Sequence, residues 1–198
     1  MKAGFEKNDS VVRRKISTTM IIPDQAITYI LFQRTAYLIS RKNPLLNRFV
    51  FRIPSRAYNL SVMIEALLTK PRIRRLFRED MEREYQILRP YLPPSASAIL
   101  DIGCGVAGID VLLHQHYGKR GRNPTLSLLD KTEMNKKVYY GLEQKGCYYN
   151  SLVIARDLLA QNGISAQLIG AQEVDDGYRI RFAGPFDLVV SLISWGFH

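Results

Sequence analysis

A chain of 198 residues, 46% hydrophobic and 23% charged, suffices for one ordinary domain or for a domain with a sizeable extension. Its two cysteines, Cys104 and Cys147, exclude a disulfide framework, and the absence of a C-x-x-C pair excludes the usual structural zinc pattern. The net charge of +10 lies wholly in residues 1–95, with 18 Lys and Arg against 8 Asp and Glu, while residues 96–198 hold 10 of each. Such a basic half implies an anionic partner, or else a solvated helix surface with surplus arginine. The amino-terminal "MKAGFEKNDSVVRRKISTT" has no apolar h-region behind its basic residues. The following "AITYILF" falls far short of the roughly 18 to 20 apolar residues that span a bilayer. A cytoplasmic protein with reduced thiols and no transmembrane segment is expected.

In chain order, Asp24–Ser40 reads as a helix, with Asp24 as N-cap and Ile27, Ile30, Leu31 and Leu38 at helical spacing. "LLNRFVFRIP" fits strand and helix equally well. "SRAYNLSVMIEALLT" is amphipathic, with Ser55 as its cap. The next helix starts with Pro71 in its first turn and stops before Pro90, Pro93 and Pro94. Its stripe Ile73, Leu76, Phe77, Met81, Tyr85, Leu88 reads as packing surface, and its arginines and carboxylates look partly self-compensating. Residues 1–95 are thus a basic, mainly helical extension that ends at "LPPSAS".

Beyond it the pattern becomes strand, glycine loop and helix. "AILDIG", "TLSLLD", "SAQLIGA" and "FDLVVSLIS" read as strands; "VAGIDVLLHQHYG" and "NSLVIARDLLAQNG" read as helices ending on glycine. This alternation predicts an α/β, Rossmann-like, mainly parallel sheet across residues 96–198. Ligands of such sheets bind at the carboxyl ends of the strands. Residues 131–150, rich in tyrosine, read as a long loop that either lids a substrate or covers the sheet edge. His114 and His116, two residues apart on a helix, point about 200° away from each other and form no metal pair. Neutral surface histidines are expected there, and no metal site.

The loop "DIGCGVAG" carries G-x-G-x-x-G at Gly103, Gly105 and Gly108. The pattern suits a dinucleotide, whose pyrophosphate sits on the following helix. Asp101 opposes that assignment, because like charges at about 5 Å repel by roughly 3 kcal/mol at an effective dielectric near 20. A ligand with an ammonium and a sulfonium finds the same carboxylate attractive. Asp130, at the end of the second strand and 22 residues beyond Gly108, is placed to accept hydrogen bonds from ribose hydroxyls.

"ILDIGCGVAG" resembles the first motif of the class I S-adenosylmethionine-dependent methyltransferases. "LSLLD", "IGAQEV" and "FDLVVSLISWGFH" resemble that family's second-, third- and fourth-strand motifs, in the family's order over residues 97–198. The resemblance implies S-adenosyl-L-methionine as cofactor. Asp101 would hold the methionine moiety, while Gly103, Cys104, Gly105 and Gly108 line the cofactor. Asp130 would take the ribose, Gln172 or Glu173 the adenine, and Ser191 to Ser194 the floor. His198, where substrate and cofactor should meet, would be the base. No D/N-P-P-Y or N-P-P-F element occurs, which points from a nucleic-acid base amine toward a hydroxyl of a small molecule or saccharide.

The family's sheet usually has seven strands, and four are legible here. A chain cut after the fourth strand, lacking parts of the substrate pocket and with its activity thereby in doubt, is expected, unless the extension or a second copy in a homodimer covers the edge. Competing readings are an RNA or protein methyltransferase docking substrate on the basic half, and a non-catalytic partner subunit that keeps the fold.

Overall fold

The computed structural model describes residues 20–42, 55–131, 134–140, 143–148, 150–174, 177 and 179–192. Helices α1 (Asp24–Gln33), α2 (Ile39–Lys42), α3 (Ser55–Leu68) and α4 (Lys70–Leu88) precede the first strand. Then follow β1 (Ala98–Ile102), α5 (Gly108–Gly118), β2 (Thr125–Asp130), β3 (Met134–Tyr140) and β4 (Glu143–Tyr148). The order closes with α6 (Leu152–Gln161), β5 (Ile169–Glu173) and β6 (Leu188–Val190). The sheet runs β5-β2-β1-β6 and every pairing in it is parallel. This is a mixed α/β, Rossmann-like arrangement. Among the described residues, no helix is long and apolar enough to cross a membrane.

The strands are apolar because helices bury them. Ile99, Leu126, Leu128, Ile169 and Val190 join one apolar cluster with residues of α5 and α6. Side chains alternate along a strand, so Leu100 and Leu129 point the other way and lie outside that cluster, although both are buried. The same cluster takes in Ile27, Ile30 and Leu31 of α1, and Ile73, Phe77 and Met81 of α4. Helix α4 lies on α5, and α1 touches α6. The extension therefore continues the core of the sheet half.

Pro71 occupies the first turn of α4 and the helix ends before Pro90, as its sequence dictates. Its arginines work inward. The guanidiniums of Arg72, Arg74 and Arg78 donate to the backbone carbonyls of Tyr37, Ile22 and Met20 at 2.5, 2.9 and 2.8 Å. They tie the segment before and after α1 onto α4. Arg34 reaches back to Asp80 at 3.2 Å and Glu84 at 2.9 Å, and lies over the Phe77 ring. The self-compensation read within α4 runs mainly to Arg34 on another segment. Arg34→Ala should cost about 1–2 kcal/mol, since Glu84 loses its cation while Asp80 keeps the Tyr37 hydroxyl and Arg83. Lysine cannot form the forked contact and should restore only part of that loss in a denaturant titration.

The structure corrects several boundaries. Asp24 does not cap α1: Pro23 holds that position without a side-chain hydrogen bond, and Asp24 pairs with Lys70 and Arg74. The helix read to Ser40 leaves helical geometry at Arg34, whose side chain is held by α4. Residues 166–168 form a 3-10 turn, so the third sheet strand begins at Ile169. The supposed loop 131–150 contains the antiparallel pair β3–β4, with Tyr140 opposite Glu143. Valine and tyrosine favour strands, and a two-residue link containing glycine is a hairpin signal that outweighs the polar residues around it. "LLNRFVFRIP" lies outside the described residues.

Candidate functional site

At the carboxyl end of β1 the chain turns sharply to enter α5. Gly103 and Gly105 have φ values of 75° and 56°, in the left-handed region that glycine adopts freely. The turn is fastened to β2: the Gly103 amide donates to the Leu129 carbonyl at 2.7 Å. The Gly105 amide donates to Asp130 Oδ2 at 2.7 Å, and the Lys131 amide to Asp130 Oδ1 at 2.7 Å. Parallel pairing of β1 with β2 thus brings Asp101 and Asp130, 29 positions apart in the chain, to one loop. Asp130 serves first as the clamp of the turn. The Asn150 and Cys104 side chains act on it as further donors. Burial raises the Asp130 carboxyl above its ordinary range, while the two amide donors pull it back down.

Asp101 is 3% exposed, and Asp110, in the first turn of α5, is 0% exposed. Asp101 sits well above the usual carboxylate range because of its burial, the Asp110 charge and hydrogen bond, and the Asp130 charge. Asp110 rises to about 6, chiefly through burial, and its hydrogen bond with Asp101 opposes that rise. A carboxyl raised on folding stabilises the fold at low pH. For Asp110 that contribution is complete below its ordinary value of 3.8 and is lost as pH climbs through about 6. Cys104 is buried, and its thiol is pushed up by burial and by the neighbouring carboxylates. The thiol is therefore uncharged.

The three glycines of the motif have different duties. A Cβ on Gly105 would lie 2.9 Å from Gln33 Oε1, so the last residue of α1 rests on the turn. A Cβ on Gly108 would lie 2.5 Å from the tip of Phe77 and 2.7 Å from Met81 Sδ. Gly108 therefore admits α4 against α5. Gln172 was expected near an adenine. Its side-chain Nε2–H donates to the Arg179 carbonyl at 2.5 Å and its Oε1 accepts from the Arg181 amide at 2.7 Å, holding the connection that follows β5. Glu173 is exposed at the end of β5, opposite Asp130 in register. Ser191 lies just beyond β6, and its hydroxyl donates to the Ile102 carbonyl at 2.8 Å. Ser194 and His198 lie outside the described residues.

Three residues that sequence reading passed over reach this site. Gln33 donates to Asn150 Oδ1 at 3.4 Å, joining α1 to the segment ahead of α6. Asp110 looked like an ordinary acidic residue in a first helical turn, which is the only signal it carried. Gln33 and Asn150 carried none. Strand β4 packs against α3 and α1, so the hairpin stands against the helical extension, and it forms a sheet of its own.

The histidines of α5 are not surface residues. His116 is 8% exposed, with Nδ1 at 2.7 Å from the Tyr85 hydroxyl and Nε2 in contact with the Arg120 guanidinium. A guanidinium only donates, so Nε2 is the bare nitrogen and Nδ1 carries the hydrogen, which it donates to Tyr85. His114 is half-buried. Both titrate below the usual histidine value, chiefly through burial, and neutral imidazoles follow. Among the described residues, no group of three or more His, Cys, Asp or Glu side chains is arranged to hold a metal ion. Comparison of the chain with protein-family models and with curated proteins finds no match.

Proposed function

We propose that the chain is an S-adenosylmethionine-dependent methyltransferase acting on a hydroxyl of a small molecule or saccharide. The observation that supports this reading is the charge around the glycine turn. Asp101, Asp110 and Asp130 converge there, and the charges acting on Asp101 are both negative. A pyrophosphate entering the turn meets carboxylates, whereas an ammonium and a sulfonium are attracted. Gly103 and Gly105 let such a ligand approach the backbone without a Cβ in its path. Asp101 is proposed to face the methionine moiety and Asp130 the ribose. With the Gln172 amide engaged, exposed Glu173 is the better partner for the adenine.

When bound, S-adenosylmethionine supplies a methyl group already activated by its sulfonium. The chain's own part is to hold ligand and acceptor in line and to take a proton from the acceptor hydroxyl. His198 is the proposed base. Arg72, Arg74 and Arg78 each turn a guanidinium donor to a backbone carbonyl of the extension, which draws part of the positive charge of α4 away from phosphate docking and favours a substrate other than nucleic acid.

Calorimetric titration of the folded chain separates the cofactors. Saturable binding of S-adenosylmethionine with no binding of NADH is expected, and Asp101→Ala should weaken it about tenfold or more. Binding of NADH with no heat from S-adenosylmethionine would sink the reading. Binding with no methyl transfer to any hydroxyl acceptor would assign the chain to a non-catalytic partner role.

A further inference from the structure

Beneath the glycine turn, two carboxyls meet in a space closed to water. Asp101 ends β1 and Asp110 begins α5, and each is more than nine-tenths buried. Neither side-chain oxygen of Asp110 has an ordinary hydrogen-bond partner. The group that meets them is the Asp101 carboxyl. Two ionised carboxylates are poorly tolerated in one such site, because their repulsion adds to the cost of taking each from water. A single proton held between them removes one charge and joins the two carboxyls, beside the backbone amide that already acts on Asp110.

The surrounding elements do not offer another solution. From β2 comes Asp130, a further negative charge, and from the turn comes the Cys104 thiol. Helix α4 presents Phe77 and Met81 to the start of α5, and α1 presents the neutral Gln33 to the turn. Among the described residues, no cation contributes to the field on either carboxyl. The compensating positive charge is therefore the proton itself, or a ligand.

We propose that Asp101 and Asp110 share one proton in the free chain and release it when a cationic ligand enters the turn, so that Asp110 tunes cofactor affinity through Asp101. The inference rests on the cofactor reading above and adds to it a positioning residue and a proton. A cation beside Asp101 favours the ionised carboxylate and expels the proton. Acidification consequently opposes binding.

The test is calorimetry of S-adenosylmethionine with the full chain, near neutral pH, in two buffers of different protonation enthalpy. The measured heats should differ by the equivalent of about one released proton, and affinity should fall by up to about tenfold per pH unit of acidification. Asp110→Asn supplies an amide donor and removes one of the charges that act on Asp101, so less of the proton is held there before the ligand arrives, although burial still raises Asp101. That variant should bind with clearly less proton release and a flatter pH profile than the wild type. Removal of a buried carboxyl that is raised on folding should leave it at least as stable as the wild type near neutral pH. Should it fail to fold, Asp110→Ser takes its place, and infrared difference spectra of the wild type should show a protonated carboxyl band bleaching on binding. Equal heats in the two buffers, or undiminished proton release from Asp110→Asn, would overturn the inference and leave the cofactor reading intact. A folded wild type that binds no S-adenosylmethionine overturns both.

Discussion

Deletion of residues 1–95 is expected to leave residues 96–198 without a cooperative unfolding transition. Helix α4 covers α5, and α1 touches α6, within one apolar cluster that crosses the "LPPSAS" boundary. The deletion uncovers the outer apolar faces of both sheet helices. Each well-buried Leu, Ile, Phe or Met contributes about 1.5–3 kcal/mol, so exposing a few such side chains consumes the roughly 5–15 kcal/mol by which a typical domain is stable. Circular dichroism through a urea titration checks this. A sharp transition from a native-like spectrum in the shortened chain would show that the sheet half stands alone. The deletion also removes Gln33 from the glycine turn, so, on the proposed reading, any residual fold should bind S-adenosylmethionine weakly.

Phe77→Ala is expected to cost about 3–5 kcal/mol, and Gly108→Val at least about 2 kcal/mol. The Phe77 ring is 2% exposed and lies against the bare α-carbon of Gly108 at the entrance to α5. Truncation of the ring leaves a void that neighbouring side chains fill only in part. A valine at position 108 pushes its methyls into the ring and into Met81, neither of which has open space to move into. The double variant should cost clearly less than the two single costs added together, because the valine occupies the volume the ring vacates. Denaturant midpoints of the four proteins measure the coupling. A Gly108→Val chain as stable as the wild type would show that α4 gives way, and that Gly108 is not a packing glycine.

This pair illustrates how far sequence reading carried. G-x-G-x-x-G at residues 103–108 was legible as a turn between strand and helix, and the turn is there. The division of labour inside the motif was not legible. Spacing alone treats the three glycines alike, whereas Gly105 meets Gln33 and Gly108 meets Phe77, residues 72 and 31 positions earlier in the chain. The packing stripe of α4 was read correctly because a 3.6-residue period reports which face is buried. The partner of that face is a question of tertiary contact, to which periodicity is silent. The histidines failed for the same reason: a polar residue on a helix reads as surface until another helix, here with Tyr85, closes over it.

Outside residues 131–150, local pattern was enough for the element types, the α/β class and the meeting of Asp101 and Asp130 at strand ends. Strand-length apolar runs, helix periods and terminal glycines are short-range properties written into neighbouring residues. The hairpin was missed because its valine and tyrosines were set among lysines and other polar residues. Folding alone settled that the basic extension shares one core with the sheet, that its arginines hold backbone carbonyls, and that Asp110 joins Asp101 beneath the turn. These outcomes depend on contacts between residues far apart in the chain, and on burial that changes the chemistry of a carboxyl. The glycine turn was visible in the order of the residues; its charge state was made by what packed around it.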